Sequence, residues 1–133
     1  MTLLYITAAL SIGIGVALLV AGEVGLSGTG RDSQFAFYAA DFGAECALYW
    51  DLKHHRFEIP TEENGLPDQF TIQCGGAGLN VSFVSPNKFI FASLNPRFDV
   101  TFERLDGGGG QITARGYAGQ AGRRVERGLR VEY

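Results

Sequence analysis

The first twenty residues constrain this chain more than any other part of it. The segment from Met1 to Val20 carries no charged side chain, and the first residue charged at neutral pH is Glu23. A helix needs about 20 apolar residues to cross a bilayer, so this opening is long enough for one span. The residues predicted to pack in a membrane or filament core are Leu3, Leu4, Ile6, Leu10, Ile12, Gly13, Ile14, Gly15, Val16, Leu18 and Leu19.

The flanks of this segment lack cations, which bears on what kind of segment it is. All eleven Lys and Arg residues lie from Arg31 onward. A secretory signal peptide begins with a cationic stretch, and a single-span anchor usually carries Lys or Arg on its cytoplasmic flank. Both classes stay open as alternatives. The pattern favours a chain whose short basic leader has been removed, with Met1 as the mature N-terminus.

Glycines mark a joint after the apolar segment. Four of them fall within residues 22–30, and each costs a helix roughly 1 kcal/mol relative to alanine. We therefore expect a melted or extended joint over residues 23–32, between an apolar helix at 1–22 and a globular head at 33–133. The joint residues are Gly22, Glu23, Gly25, Gly28 and Gly30.

A second helical pattern covers residues 33–54, with Asp32 or Ser33 as its candidate cap. It carries a stripe of small residues and, beside it, a stripe of bulky ones. The small stripe consists of Ala36, Ala40, Gly43 and Ala47, and the bulky stripe of Phe35, Tyr38, Phe42, Cys46 and Tyr49. One stripe should face the sheet of the head and the other a neighbouring subunit, unless both are core. We expect the aromatic stripe to cover the sheet.

Short alternating runs after residue 56 predict five or six antiparallel strands with one apolar face. The predicted inward-facing residues are Phe70, Ile72, Cys74, Leu79, Val81, Phe83, Phe98, Val100, Phe102, Ile112 and Ala114. Lys88 to Leu94 is nearly continuous in apolar residues and is expected to be a central strand. The predicted fold is therefore α+β, a long N-terminal helix packed on an antiparallel sheet.

The two cysteines, Cys46 and Cys74, both fall on faces expected to meet at the helix–sheet interface. A disulfide between them would close a loop of about 28 residues and contribute roughly 3 kcal/mol. Its formation depends on an oxidising compartment. Two buried free thiols are the alternative.

The start Met1-Thr-Leu-Leu-Tyr5 followed by an apolar helix resembles the mature N-terminus of type IV pilins and type II secretion pseudopilins. These begin with a hydrophobic residue followed by Thr-Leu-Ile/Leu-Glu, and the present chain departs from them at Tyr5. Residues 33–50 resemble the AFxAAExGxExA stretch of a minor-pilin-like bacterial subgroup. The segments 115–117 and 123–133 resemble the C-terminal ends of the same group. Together these segments cover about half of the chain.

This resemblance implies a structural subunit of an extracellular type IV pilus-like filament. The expected partners are copies of the chain, the inner-membrane assembly machinery and, before assembly, the membrane itself. In the family the fifth-position glutamate is thought to neutralise the N-terminal amine of a neighbour, so Met1 and Tyr5 are the expected assembly positions. A membrane-anchored monomeric binding domain, or a minor or tip pseudopilin of a secretion or DNA-uptake machine, is the alternative.

Other chemistry finds little support in the sequence. His54 and His55 with Glu58 lack a nearby third ligand cluster, so we expect no metal and no cofactor. No nucleophile is fixed near a base, which argues against an enzyme. Glutamates interrupt the arginines at positions 123, 124, 127 and 130, and the net charge is -3, so no specific nucleic-acid binding is expected.

Overall fold

The computed structural model describes residues 2–58, 69–85, 87–119 and 124–133. These form one long helix followed by six strands, the predicted α+β fold. The elements are α1 (Thr2–His54), β1 (Gln69–Cys74), β2 (Ala77–Ser85), β3 (Lys88–Leu94), β4 (Arg97–Arg104), β5 (Gly110–Ala118) and β6 (Val125–Glu132).

Helix α1 runs without interruption through the glycine-rich segment, so the prediction of a melted or extended joint is wrong. A break there would forfeit the hydrogen bonds of the flanking turns and require a second, costly nucleation for the following residues. That loss offsets the roughly 1 kcal/mol cost of each glycine. The predicted cap at Asp32 or Ser33 is also wrong, because no helix begins there. The hydroxyl of Ser33 instead accepts a hydrogen bond from Arg127 Nε at 2.7 Å.

The strands form one antiparallel sheet in the order β1-β2-β3-β4-β5-β6. Strands β4 and β5 pair so that Phe98 faces Gly116 and Val100 faces Ala114. The predicted alternation is confirmed, since Ile72 and Val81 are buried, as are the alternate β4 residues Phe98, Val100 and Phe102. Strand β3 is one-sided rather than wholly buried, because Phe89 and Phe91 point inward while Leu94 is exposed.

Small residues, not aromatic ones, hold α1 against the sheet. Ala36, Ala40 and Ala47 are completely buried, and α1 packs mainly on β5, with further contact to β6 and β4. A Cβ atom built on Gly116 would come within 2.5 Å of the Ala40 nitrogen. The backbones of α1 and β5 therefore approach more closely than a residue with a side chain at position 116 would permit. The expectation that the aromatic stripe covers the sheet is therefore wrong for all but Phe42.

A phenylalanine cluster covers the part of the sheet that α1 leaves open. Phe57 follows the helix and is fully buried. Its ring stacks on Phe102 with centroids 4.6 Å apart and meets Phe89 edge-on at 5.5 Å. The apolar face of the sheet is thus closed by alanines at one side and by aromatic rings at the other.

Candidate membrane and assembly helix

The N-terminal half of α1 exposes its apolar side chains on every side. Leu3 is 76% exposed and Leu19 71% exposed. An 18-residue window of the helix has a mean hydropathy of 2.4, and none of it is buried in the chain. By length and composition this helix could cross a membrane. Met1, one of the two predicted assembly positions, lies outside the described residues.

The hydroxyl groups of Thr7 and Ser11, in the middle of the apolar segment, are satisfied within the helix. The Thr7 hydroxyl donates to the carbonyl oxygens of Leu3 and Leu4, at 3.1 and 3.0 Å. The Ser11 hydroxyl bonds in the same way to the preceding turn. Such internal bonds allow hydroxyl groups to enter hydrocarbon without an unpaired donor. Sequence reasoning missed these bonds, although Thr and Ser inside an apolar helix are a readable signal for them.

Tyr5 and Glu23 are exposed polar side chains towards the two ends of the apolar segment. Tyr5 is 74% exposed, and its hydroxyl has no hydrogen-bond partner among the residues that the structure describes. Glu23 lies exposed near the other end. Gly13 and Gly15 leave open space around α1, because a Cβ at either position would meet nothing within 4 Å. A second helix could therefore approach the backbone closely at these two glycines.

A buried ionic cluster fixes the end of α1 to the sheet. Asp51 is 3% exposed, and Arg104 donates to both of its carboxylate oxygens, at 2.5 and 3.2 Å. Arg104 also donates to the carbonyl of Phe57 at 3.1 Å, and the phenol of Tyr133 donates to Asp51 at 2.5 Å. Residues from the helix, from β4 and from the end of the chain meet here. Nothing in the local sequence indicates this cluster, because its three side chains, Asp51, Arg104 and Tyr133, lie 29 or more positions apart.

The disulfide between Cys46 and Cys74 is present and joins α1 to the end of β1, with the Cα atoms 5.9 Å apart. Beside it, the indole Nε1 of Trp50 donates to the carbonyl of Gln73 at 3.0 Å. These bonds hold an edge of the sheet that α1 otherwise touches little.

The bulky stripe has a different environment from the one expected. Phe35, Tyr38 and Tyr49 are all more than half exposed, while Phe42 packs edge-on against Phe98 at 5.8 Å. These side chains continue the exposed apolar surface of α1 from the N-terminal half into the head. The structure thus brings Phe42 and Cys46 into the head core and leaves the other three aromatic residues at the surface.

The arginines near the C-terminus are engaged by neighbouring side chains. Arg130 pairs with Glu132 at 2.7 Å, and Arg115 lies 3.8 Å from Glu126. Arg124 lies 4.3 Å from the ring centroid of Tyr117. The Tyr117 hydroxyl donates to Asp99, and this hydrogen bond raises the pKa of the phenol. Arg123 of the predicted basic run lies outside the described residues.

The paired histidines stand at the end of α1. His54 packs against the indole of Trp50 with ring centroids 4.5 Å apart, and its Nε2 lies 3.4 Å from the Tyr49 hydroxyl. Within residues 2–58, 69–85, 87–119 and 124–133, no three His, Cys, Asp or Glu side chains converge in a group that could hold a metal ion.

Comparison with protein-family models, with curated protein sequences and with solved structures gives no significant match to this chain.

Proposed function

We propose that this chain is a structural subunit of an extracellular type IV pilus-like filament. It would be held in the cytoplasmic membrane by the apolar half of α1 before assembly and by neighbouring copies afterwards. The observation that carries the proposal is an apolar helical surface, about 30 Å long for 20 residues, that the chain itself does not bury.

The physical argument rests on the cost of leaving that surface in water. Soluble monomers rarely expose contiguous apolar patches larger than a few hundred Å². Apolar residues cover all sides of this segment, from Leu3 to Val24. Lipid or other helices must therefore cover it, at a gain of about 25 cal/mol per Å² relative to water. Transfer from lipid to a helix bundle depends more on close packing, which Gly13 and Gly15 favour.

The head also suits a subunit that is carried outside the cell. The disulfide is typical of proteins that fold in an oxidising compartment, and it ties the sheet to the same helix that bears the apolar segment. Because α1 is a single continuous helix, its apolar half is joined without a break to the part that packs on the sheet and carries Asp51.

Electron microscopy of purified surface filaments, combined with mass spectrometry of their subunits, tests this proposal. We expect the chain to sediment with filaments and to carry a proteolytically processed N-terminus there. A chain that stays in the membrane fraction, keeps an unprocessed N-terminus and never sediments with filaments would contradict it.

Retention in the membrane fraction without filaments would support a membrane-anchored monomeric binding domain. The same exposed helix favours this alternative, because one apolar span is sufficient to hold a head at a membrane surface. The replacement of the family's glutamate by Tyr5 also leaves room for a minor or tip subunit, which would be found in filaments at low stoichiometry.

A further inference from the structure

A small pocket lies where α1 meets the turn between β1 and β2. Phe42, Glu45 and Tyr49 line it from the helix, Gln73 and Gly75 line it from the turn, and the disulfide lies between them. Its volume is about 270 Å³. Pockets for drug-sized ligands usually exceed about 300 Å³, so this one is matched to a single side chain.

Two walls of this pocket, the Phe42 ring and the turn between β1 and β2, are fixed before any ligand arrives. The Phe42 ring is held edge-on by Phe98, 5.8 Å away. On its other side, a Cβ built on Gly75 would stand only 2.8 Å from Phe42 Cζ, so the turn lies directly against the ring. The disulfide and the bond from Trp50 to the Gln73 carbonyl hold that turn in place. A preformed site loses less entropy when a ligand binds.

The pocket carries one uncompensated negative charge. Glu45 is the lining side chain that is charged at neutral pH; it is solvent-exposed, and it makes no hydrogen bond or ion pair within the described part of the chain. This contrasts with Asp51, two helical turns further on, which Arg104 neutralises. Aromatic rings also attract cations through the negative potential of their faces. Carboxylate and rings together favour a cationic occupant.

We propose that this pocket binds one lysine or arginine side chain from a basic segment of a partner protein. The charged group would bond to the Glu45 carboxylate, and its aliphatic stem would lie along Tyr49 and Phe42. The site depends only on the folded head, so its test is independent of whether the chain forms filaments.

Titration of the full chain in detergent micelles with short capped peptides, followed by nuclear magnetic resonance, tests the assignment. One peptide carries a single lysine and another a single arginine. Their neutral counterparts carry acetyl-lysine and citrulline. We expect the cationic peptides to shift the signals of Glu45 and Tyr49 with a Kd on the order of 1 mM, as one exposed ionic contact with aromatic packing would give. The neutral peptides should bind about tenfold more weakly.

Matched variants separate the pocket from general electrostatics. Glu45→Gln should weaken lysine-peptide binding about fivefold, and Tyr49→Leu should weaken it without altering the charge. Glu103→Gln removes a carboxylate from β4, outside the pocket, and Tyr38→Leu removes an exposed ring one turn before Phe42. Both controls should bind as the unaltered chain does. Circular dichroism and the intact disulfide mass verify that each variant is folded.

Three results would overturn the assignment. The first is the absence of any shift at Glu45 and Tyr49 with the cationic peptides. The second is equal binding of the neutral acetyl-lysine and citrulline peptides, which would mean that charge is not recognised. The third is an unchanged affinity in folded Glu45→Gln.

Discussion

At the scale of single residues, a few positions decide how closely the helix can lie on the sheet. Gly116 is the clearest, because its missing side chain leaves room for the backbone of α1 at Ala36 and Ala40. The packing distance is therefore set by a glycine on a strand far along the chain. This explains why the small stripe of the helix, rather than its aromatic stripe, faces inward.

Substitution of Gly116 by alanine should destabilise the head by about 1–3 kcal/mol, as expected when a methyl group is forced into a tightly packed interface. Gly128→Ala, on the neighbouring strand, is the matched control, since its Cβ would meet only the Ala114 oxygen at 3.9 Å. That variant should stay within about 0.5 kcal/mol of the unaltered chain. Urea unfolding in micelles measures both, and equal stabilities for the two variants would contradict the close-packing argument.

Tyr133 contributes a pH-dependent contact at the buried cluster. Burial raises the pKa of its phenol, and the hydrogen bond to Asp51 and the charge of that carboxylate raise it further. The raised pKa means that the folded state binds the phenol proton more tightly than the unfolded state does. The stabilisation is therefore fully present below the unfolded pKa of about 10 and is lost progressively as pH rises above it.

Tyr133→Phe should consequently lower the free energy of unfolding by about 1 kcal/mol at neutral pH, the usual loss for one hydrogen bond. It should also flatten the decline in stability between neutral and strongly alkaline pH. Tyr38→Phe serves as the control, because that ring is 65% exposed and should follow the unaltered profile. Denaturant unfolding at several pH values measures the effect, and parallel profiles for Tyr133→Phe and the unaltered chain would argue against it.

At the scale of elements, local patterns in the sequence predicted each strand but not how the helix packs. Alternation correctly placed Ile72, Val81 and Val100 on the inner face, because the strand repeat is a local property. The same pattern showed that α1 has two stripes, but the choice between them depends on Gly116, which lies about 80 residues away. Helix continuity across Gly22–Gly30 was missed because propensity was summed without the cooperativity of the surrounding turns.

The Asp51–Arg104 pair illustrates the same limit at the candidate site. A buried carboxylate in a helix and an arginine at the end of a strand carry no local sign that they will meet. Both cysteines, by contrast, were placed on the correct faces, since each face follows from its own helix or strand repeat. Contacts that follow from one element's periodicity are predictable, and contacts that require the tertiary arrangement are not.

Removing the disulfide should loosen one edge of the sheet more than the rest. We expect the variant Cys46→Ser/Cys74→Ser to lose about 3 kcal/mol of stability. Hydrogen exchange should increase more in β1 and β2 than in β4 and β5, because α1 contacts β5 extensively and β1 only slightly. Reduction of the unaltered chain should reproduce both effects. A uniform increase over all six strands would instead indicate that the disulfide does not selectively stabilise the β1–β2 hairpin.

At the scale of the whole molecule, the two halves of α1 have different surroundings. Its C-terminal part is covered on one face by the sheet, while its N-terminal part is apolar and exposed and is long enough to cross a membrane. The 53 residues of this helix would extend about 80 Å at the ideal rise per residue. The glycine-rich segment lies between these two environments and remains helical in the single chain. An exposed apolar helix of this length is expected to aggregate in water unless lipid or other helices cover it.

A charge placed in the middle of the apolar half tests that dependence. Ile12→Lys should cost about 2.5–3.5 kcal/mol of membrane insertion, the penalty for a lysine at the centre of a spanning helix. The variant should therefore shift from the membrane to the soluble or aggregated fraction when vesicles are floated on a density gradient. Leu94→Lys is the matched control, because Leu94 is 88% exposed but lies on the sheet of the head, and it should float as the unaltered chain does. Equal flotation of both variants would mean that the apolar half of α1 is not what holds this protein to lipid, which would also remove the first step of the proposed route from membrane to filament.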